Sequence, residues 1–276
     1  ANWWILGGSL VFVVFSLGVG LTGIPFSQEI IFVGSMVIIL FLMSRLLKIL
    51  TADARRTLVG TAIIIFVFRA MPTPGPGATW WMIDELKFDQ QFLSILALIG
   101  GVLTLLGLFV FRRFIAEKSI ATVAAVLTTA STLLSLPIIG MYYGLHEWTA
   151  ALTGGVVDAR FIALVDTALE SPLGQIAMIP MLAWIANSAP TQLKATYFAV
   201  MASFTNLALS ASQLLTKYMN QIFTISREVK DPVSGTISTP ADYNDLGVLL
   251  MTVTFIVFAL PLITIFIVQK SKLQSA

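Results

Sequence analysis

The sequence predicts an all-α, polytopic membrane protein with eight transmembrane helices. Hydrophobic residues make up 57% of the chain and charged residues only 11%, and the mean hydropathy of +0.92 is far above that of a soluble domain. The chain also contains eight apolar runs of about 20 residues, the length that an α-helix needs to cross a bilayer. In addition, two of these runs are interrupted by proline and glycine close to charged side chains.

The predicted spans follow one another with short polar connections. They cover residues 3–23, 29–50, 57–82, 90–111, 120–145, 161–186, 191–222 and 246–268. One set of loops holds ten Lys and Arg residues and the other set holds five. The positive-inside rule therefore predicts that the first set and both chain ends are cytoplasmic. We call the opposite end of the bundle the outer end.

The spans are expected to divide into three parts. Residues 1–50 form the last two helices of an N-terminal bundle, residues 51–56 a cytoplasmic connector, and residues 57–276 a C-terminal six-helix bundle. That bundle splits into two groups of three spans, each of which opens with a polar, interrupted helix. Such interruptions at corresponding positions of two inverted repeats are typical of the binding sites of transporters.

The first interrupted helix combines a cation with three prolines. Arg69 precedes Pro72, Pro74 and Pro76, with Gly75 between the last two. Proline removes a backbone donor, and irregular backbone survives in a membrane only where it is buried in protein or lines a watery cavity. A cation near mid-membrane costs roughly 2.5 kcal/mol or more and normally faces a partner or a ligand. We therefore predict a substrate site here, with a structural ion pair as the alternative for Arg69.

The second interrupted helix carries two acids, Asp166 and Glu170, four residues apart and thus on one helix face. At 1.5 Å per residue, Glu170 lies ~13 Å from the outer end of its span and Arg69 ~18 Å from the inner end of its own. The three charges are therefore expected to pair when no ligand is bound. Two neighbouring carboxylates rarely both ionise away from water, so one of them should hold a proton. This arrangement favours proton coupling.

Several other side chains are candidates for the same site. Gln175 and Asn206 either line the cavity or form hydrogen bonds between helices. Trp80 and Trp81 either stack on a flat ligand or anchor the chain at the membrane interface.

Composition also excludes several functions. The net charge of +2 is too small for a nucleic-acid surface. The chain has no cysteine and a single histidine, His146, so we expect no disulfide, no metal site and no cofactor. An intramembrane enzyme would need an aspartate-rich metal motif or a membrane-embedded histidine. The sequence shows neither, so we expect a protein that is not an enzyme.

Two stretches resemble a known family. The sequence FRAMPTPGPGATWWMIDELKFDQQFLS at 68–94 is similar to the seventh-helix signature of the folate–biopterin transporter family, a branch of the major facilitator superfamily. The sequence MIPMLAWIANSAPTQLKATYFAVMASFTNLALSAS at 178–212 resembles the family's tenth-to-eleventh-helix signature. Together the two stretches cover about a fifth of the chain.

The resemblance implies a major facilitator fold and a twelve-helix proton symporter of folates and pterins, including antifolates such as methotrexate. The eight spans would match helices five to twelve, so the sequence is expected to be the C-terminal part of a longer chain. Asp166 or Glu170 would accept hydrogen bonds from the pterin ring edge, and Arg69 would bind the glutamate tail. The ring face would stack on Phe68, Trp80 or Trp81.

The expected partners are a folate or pterin, protons and the lipid bilayer, and the protein is expected to be a monomer. Its membrane would be the plasma membrane of a bacterium, for example a cyanobacterium, or the chloroplast envelope. Two alternatives stay open: a major facilitator transporter of another organic anion or drug, and a membrane protein that does not transport.

Overall fold

The computed structural model describes residues 3–173, 194–231 and 235–273, and within these ranges the protein is mainly α-helical. The first helices are α1 (Trp3–Leu21), α2 (Ser27–Leu47), α3 (Ala52–Arg69), α4 (Pro76–Asp84), α5 (Gln90–Val110) and α6 (Arg112–Glu117). They are followed by α7 (Ile120–Tyr142), α8 (Leu145–Leu152), α9 (Ala159–Glu170), α10 (Lys194–Ile222) and α11 (Leu246–Lys270). A 3₁₀ turn, Ser171–Leu173, continues α9, and strands β1 (Val229–Lys230) and β2 (Ile237–Thr239) form an antiparallel pair before α11.

Five helices of the described ranges are long and apolar enough to cross a bilayer: α2, α5, α7, α10 and α11. In α1 the apolar stretch Gly7–Leu21 is shorter. Helix α3 begins with three charged residues in its first two turns, and α9 has only 12 residues before its interruption. The chain is therefore a multi-pass helical membrane protein, while the count of eight spans and the inverted repeats stay predictions.

Local sequence explains where several helices begin. The side chains of Thr51, Asp89, Ser119 and Asp158 each accept a hydrogen bond from the backbone N–H three residues later. Ser, Thr and Asp are preferred at this position because their side-chain oxygens satisfy one of the free N–H groups of the first turn.

The cap at Thr51 also changes the interpretation of residues 51–56. The sequence predicted a connector there, but Thr51 caps α3 and residues 52–56 form its first turns. Asp53 lies in the first turn, where the positive end of the helix dipole favours an acid. The domain boundary placed at this segment stays a prediction.

Two apolar clusters organise the bundle. Toward the inner end, α2, α3 and α10 share a cluster that includes Met43, Leu58 and Met201. Toward the outer end, α4, α7, α9 and α11 meet in a cluster that includes Trp81 and Met141. Helix α7 packs against α3, α9 and α11, so it lies between the two helices that carry the predicted site charges.

Candidate functional site

The first interruption lies where the sequence predicted it. Helix α3 ends at Arg69, residues 71–75 are not helical, and α4 begins at Pro76. Gly75 precedes α4 with φ of 76°, a left-handed conformation that glycine adopts without steric cost. Prolines at 72 and 74 supply no N–H, so neither can continue the α3 hydrogen-bond ladder.

Three side chains of α10 satisfy the polar backbone of this interruption. The hydroxyl of Ser212 donates to the Met71 carbonyl at 2.6 Å, and the N–H of Thr73 donates to the Thr216 hydroxyl at 2.9 Å. The amide of Asn220 donates to the carbonyl of residue 74 at 3.3 Å. The three side chains are spaced four residues apart, so they follow one face of α10. We call them the α10 polar row.

The second interruption follows Glu170, where α9 ends in the turn Ser171–Leu173. Helix α5 holds this turn, because the hydroxyl of Thr104 donates to the Ser171 carbonyl at 2.9 Å. A Cβ atom at Gly107 would come within 2.2 Å of the carbonyl oxygen of Pro172, so only glycine allows this close approach. Residues 174–193 lie outside the described residues, and so does the predicted site residue Gln175.

A cavity of about 930 Å³ lies beside the first interruption, at the outer end of the bundle. Helix α2 contributes Glu29 and Phe32, α4 contributes Trp80, and α10 contributes Lys217 and Asn220. We call this space the outer cavity. It is a concave site with mainly apolar walls and a few polar groups, as ligand sites usually are.

The predicted pairing of Arg69 with the two acids is wrong for this structure. Within the described ranges, the half-buried Arg69 forms no hydrogen bond or ion pair with any residue. Phe68, next to Arg69, and Leu173, close to Glu170, both pack against the buried pair Val123 and Leu127 of α7. The residues beside Arg69 and Glu170 thus pack on the same apolar pair of α7, while Arg69 forms no ion pair with either acid within the described ranges.

The two acids differ from each other. Asp166 is only 8% exposed, and its Oδ1 atom is buried without a hydrogen-bond partner in the described part of the chain. Glu170, one turn further along α9, is exposed. The two carboxyl groups are one turn apart as predicted, yet only Asp166 is buried within the described part of the chain.

The aromatic candidates also differ from one another in their surroundings. Trp80 lines the outer cavity. Trp81 is only 5% exposed and packs in the outer cluster, with its ring 5.7 Å from that of Tyr142. Phe68 packs against apolar residues of α7 and α11. Asn206 is exposed and forms no hydrogen bond within the described ranges.

Sequence reasoning missed the charged pair of the outer cavity. Lys217 donates to Glu29 Oε1 at 2.7 Å, and the Tyr218 hydroxyl donates to the same oxygen at 2.9 Å. Lys217 is one of the five cations that the orientation prediction assigned to the outer loops, although it lies inside α10. An ionisable residue within a span is itself a signal of function, and this signal could have identified the pair.

Outside the membrane spans, Asp84 anchors the far end of α4. Arg227 donates to both carboxylate oxygens of Asp84, at 3.1 and 2.9 Å, and the Tyr243 hydroxyl donates at 2.5 Å. The hydrogen bond from Arg227 is the main reason that the pKa of Asp84 lies below its ordinary value. Burial, together with the hydrogen bond to Asp84, raises the pKa of the Tyr243 phenol. This ionic cluster links Arg227 and Tyr243, on either side of the β1–β2 pair, to the end of α4.

These features define a multi-pass helical membrane protein in which one helix is interrupted at 70–75 beside a cavity, and another ends in a 3₁₀ turn close to the buried carboxyl group of Asp166. The chain belongs to the BT1 family, whose model matches residues 26–275. The resemblance to the folate–biopterin transporter family is thereby confirmed. No solved structure matches the chain.

Curated relatives agree with this family. The chain is 27% identical over 157 residues to the folate-biopterin transporter of Synechocystis sp., a match that covers 57% of this chain and 31% of the relative. It is 26% identical over 175 residues to putative folate transporter 2 of Plasmodium berghei, covering 58% of this chain and 35% of the relative. The chain thus spans about a third of the length of these relatives, which are named as transporters and not as enzymes.

Proposed function

We propose that this chain forms part of a secondary active transporter that moves folates or pterins together with protons by alternating access. The relatives' names supply the cargo class. Residues 57–276 would form one six-helix bundle, and residues 1–50 would belong to the partner bundle. Transport would then consist of rocking one bundle against the other around the binding site.

The observation that carries the proton-coupling proposal is the environment of Asp166. A carboxyl group that is buried and has no counter-ion nearby binds a proton more readily than an exposed or paired one. Asp166 is 8% exposed and has an unpartnered, buried oxygen within the described part of the chain. Glu170 lies one turn away on the same helix face, and we assign it the transfer of protons to and from Asp166. We assign proton coupling to this pair.

Arg69 is proposed to bind the anionic tail of the cargo. Its guanidinium is half-buried and has no partner in the described ranges. A guanidinium offers a planar fork of donors that matches a carboxylate with two parallel hydrogen bonds. An arginine within a membrane span without a protein partner is therefore suited to an anionic ligand.

The remaining candidates receive smaller roles in the proposal. Trp80 is proposed to stack on the ring of the cargo, because it lines the outer cavity. Phe68 and Trp81 pack in apolar clusters, and there they would shape the path of the cargo. Gln175 and Asn206 are proposed to add hydrogen bonds once cargo is bound. The transporter would act as a monomer in a bacterial plasma membrane or a chloroplast envelope.

The experiment that tests the function is uptake into proteoliposomes that contain the full-length protein. We expect an imposed proton gradient to drive accumulation of labelled folate or pterin, and a protonophore to abolish it. Folate, biopterin and unrelated organic anions would compete in parallel assays. Uptake that ignores the gradient would contradict proton symport. Competition only by unrelated anions would contradict the cargo class.

A further inference from the structure

A second concave space, of about 670 Å³, lies between α1 and α2 at the inner end of the bundle. Helix α1 contributes Trp3, Trp4, Gly7 and Val11, and α2 contributes Val37 and Phe41. We call this space the inner groove. Among the side chains that line it, only the two tryptophans carry a polar atom, the indole N–H. From Trp3 to Val11 the groove follows α1 for ~12 Å, which is most of one leaflet of a hydrocarbon core about 30 Å thick.

The inner groove is open on the side that faces away from the bundle. Val11 and Val37 are exposed at its edges, and a Cβ atom added at Gly7 would meet no atom within 4 Å. A space with apolar walls does not hold water. The surroundings of an exposed apolar helix face within a bilayer are acyl chains. An acyl chain is therefore the occupant that matches the walls of this groove.

A cation lies beside the groove at its inner end. The guanidinium of Arg45 lies over the rings of Trp4 and Phe41, at 4.7 and 5.3 Å from their centroids. Arg45 is exposed and forms no ion pair within the described ranges. Stacking on two aromatic rings holds a guanidinium by its faces and leaves the N–H donors at its edge free. The two rings thus fix an unpaired cation next to the apolar groove.

The position of Arg45 along α2 indicates which group it binds. Arg45 is in the last turn of α2, beside the first residues of α1, Trp3 and Trp4. Tryptophan is enriched at the level of the lipid headgroups, and this end of the bundle is the one predicted to be cytoplasmic. The cytoplasmic leaflet carries the anionic lipids, which basic residues at its surface attract. Arginine also matches a phosphate group with two parallel hydrogen bonds.

We infer that the inner groove binds one phospholipid with a net negative headgroup. Its acyl chain lies along Gly7 and Val11, and its phosphate accepts hydrogen bonds from Arg45. The groove is separate from the proposed transport site, because Arg69, Asp166 and Trp80 do not line it. The inference therefore does not depend on what the protein transports.

The test is native mass spectrometry of the purified full-length protein, titrated with phosphatidylglycerol and with phosphatidylcholine that carry identical acyl chains. Both lipids contain a phosphate group, but the ammonium group of phosphatidylcholine cancels its charge. We expect phosphatidylglycerol to bind about fivefold more tightly, the usual effect of one basic residue on an anionic lipid. The measurement needs neither cargo nor a proton gradient.

Variants of Arg45 test the headgroup contact. Arg45→Gln should reduce the binding of phosphatidylglycerol to the level of phosphatidylcholine, and Arg45→Lys, which keeps the charge, should retain part of the preference. The matched control is Lys270→Gln in α11. Lys270 Nζ lies 5.3 Å from the ring centroid of Phe266, so this variant also removes a cation beside an aromatic ring, but away from the inner groove. It should keep the full preference.

A variant of Gly7 tests the acyl-chain contact. Gly7→Leu places a side chain in the groove and should weaken both lipids by about threefold, because a few close carbon contacts are lost. The control is Gly18→Leu in the same helix, where an added Cβ atom also meets no atom within 4 Å. Gly18 does not line the groove, so this variant should bind both lipids as the wild-type protein does.

Three results would overturn the inference. The first is equal binding of the two lipids to the wild-type protein, and the second is a full preference in Arg45→Gln. The third is wild-type lipid binding in Gly7→Leu. If neither lipid binds, a further part of the full-length chain or a second copy covers the groove, and the inference is equally wrong.

Discussion

The two interrupted segments, 70–75 and Ser171–Leu173, are stabilised by different kinds of contact. In the first segment, the α10 polar row supplies three side-chain hydrogen bonds to a backbone that prolines have opened. In the second, the turn lies against α5 at Gly107, with one hydrogen bond from Thr104. Polar side chains therefore hold the first interruption, and close backbone packing holds the second.

The charged side chains beside the two interruptions differ as well. Near the outer end, charged side chains are paired, as Asp84 is with Arg227 and Glu29 with Lys217. Deeper within the predicted spans, Arg69 and Asp166 have no oppositely charged partner within the described ranges. Paired charges near the surface stabilise the structure, whereas charges left unpaired within a span are more readily explained by cargo or protons. Five predictions test this difference.

The largest effect is expected for Asp166. Asp166→Asn removes the proposed proton site and should lower gradient-driven accumulation by about 5- to 150-fold, the usual range for loss of a coupling between two ligands. Exchange of labelled for unlabelled cargo should change far less. The melting temperature should not fall, because the buried oxygen has no partner to lose. Uptake in proteoliposomes with and without a proton gradient measures the effect, and intact gradient-driven uptake in both Asp166→Asn and Glu170→Gln would refute the coupling assignment.

Arg69 should discriminate between cargoes. Arg69→Ala should weaken binding of folate by about tenfold or more, since a bidentate, charge-assisted contact to a carboxylate is lost. A pterin without the glutamate tail should be nearly unaffected. Competition assays with both ligands measure this difference. Equal losses for folate and pterin would remove Arg69 from tail recognition.

Gly107 tests the second interruption. Gly107→Ala places a Cβ atom 2.2 Å from the Pro172 carbonyl oxygen, and the required shift should destabilise the protein by about 1–3 kcal/mol. Gly101 of the same helix has no atom within 4 Å of an added Cβ. Gly101→Ala should therefore leave stability unchanged or slightly raised. Thermal unfolding in detergent compares the two variants, and equal stability would show that α5 does not hold the turn in this way.

Thr216 tests the first interruption. Thr216→Val keeps the shape of the side chain but leaves the N–H of Thr73 without its acceptor, at an expected cost of about 1–2 kcal/mol. The control is Thr264→Val, because within the described ranges the Thr264 hydroxyl donates to the Leu260 carbonyl of its own helix and to no other residue. That control should change stability little. A similar loss in both variants would mean that the α10 polar row does not specifically support the interruption.

The smallest effect is expected at the outer ionic cluster. Asp84→Asn should lower stability by about 1 kcal/mol at neutral pH, since the pair is partly exposed. The pKa of the Asp84 carboxyl group is lowered in the folded protein. The contribution of Asp84 to the free energy of unfolding is therefore fully present above the ordinary aspartate pKa of about 4. It is lost as the pH falls through the lower pKa of the folded state. The difference in melting temperature between wild type and Asp84→Asn should thus persist from pH 7 to 5 and shrink in more acidic buffer. A difference that vanishes already at pH 6 would contradict this account.

Much of the local structure was predictable because its causes lie within a few residues. Proline and glycine after Arg69 predicted the first interruption, and it lies there. The side chain of Thr51 could also have identified the start of α3, but its cationic neighbours favoured a connector instead. Proline 172 and the charges before it indicated the second interruption, which begins immediately after Glu170.

Contacts between helices were harder to predict. The distances from the span ends predicted that Arg69 and Glu170 lie at similar depth in the membrane. Their neighbours Phe68 and Leu173 do pack on the same residues of α7, Val123 and Leu127. The predicted ion pair is nevertheless absent, because depth along a helix says nothing about the direction in which a side chain points. Trp80 and Trp81 show the same limit. They are adjacent on α4, yet Trp80 lines the outer cavity and Trp81 packs in a buried cluster.

The sequence alone determined the membrane class, the family, and the two places where helices are interrupted. These follow from composition, from motif, and from the backbone chemistry of proline and glycine, all of which act locally. The tertiary structure decided which charges find partners, because pairing depends on the rotation and register of helices distant in sequence. Glu29 and Lys217 are separated by 188 positions and meet at 2.7 Å, while Arg69 and Asp166 remain apart, and only the packing of α2, α7 and α10 sets this outcome.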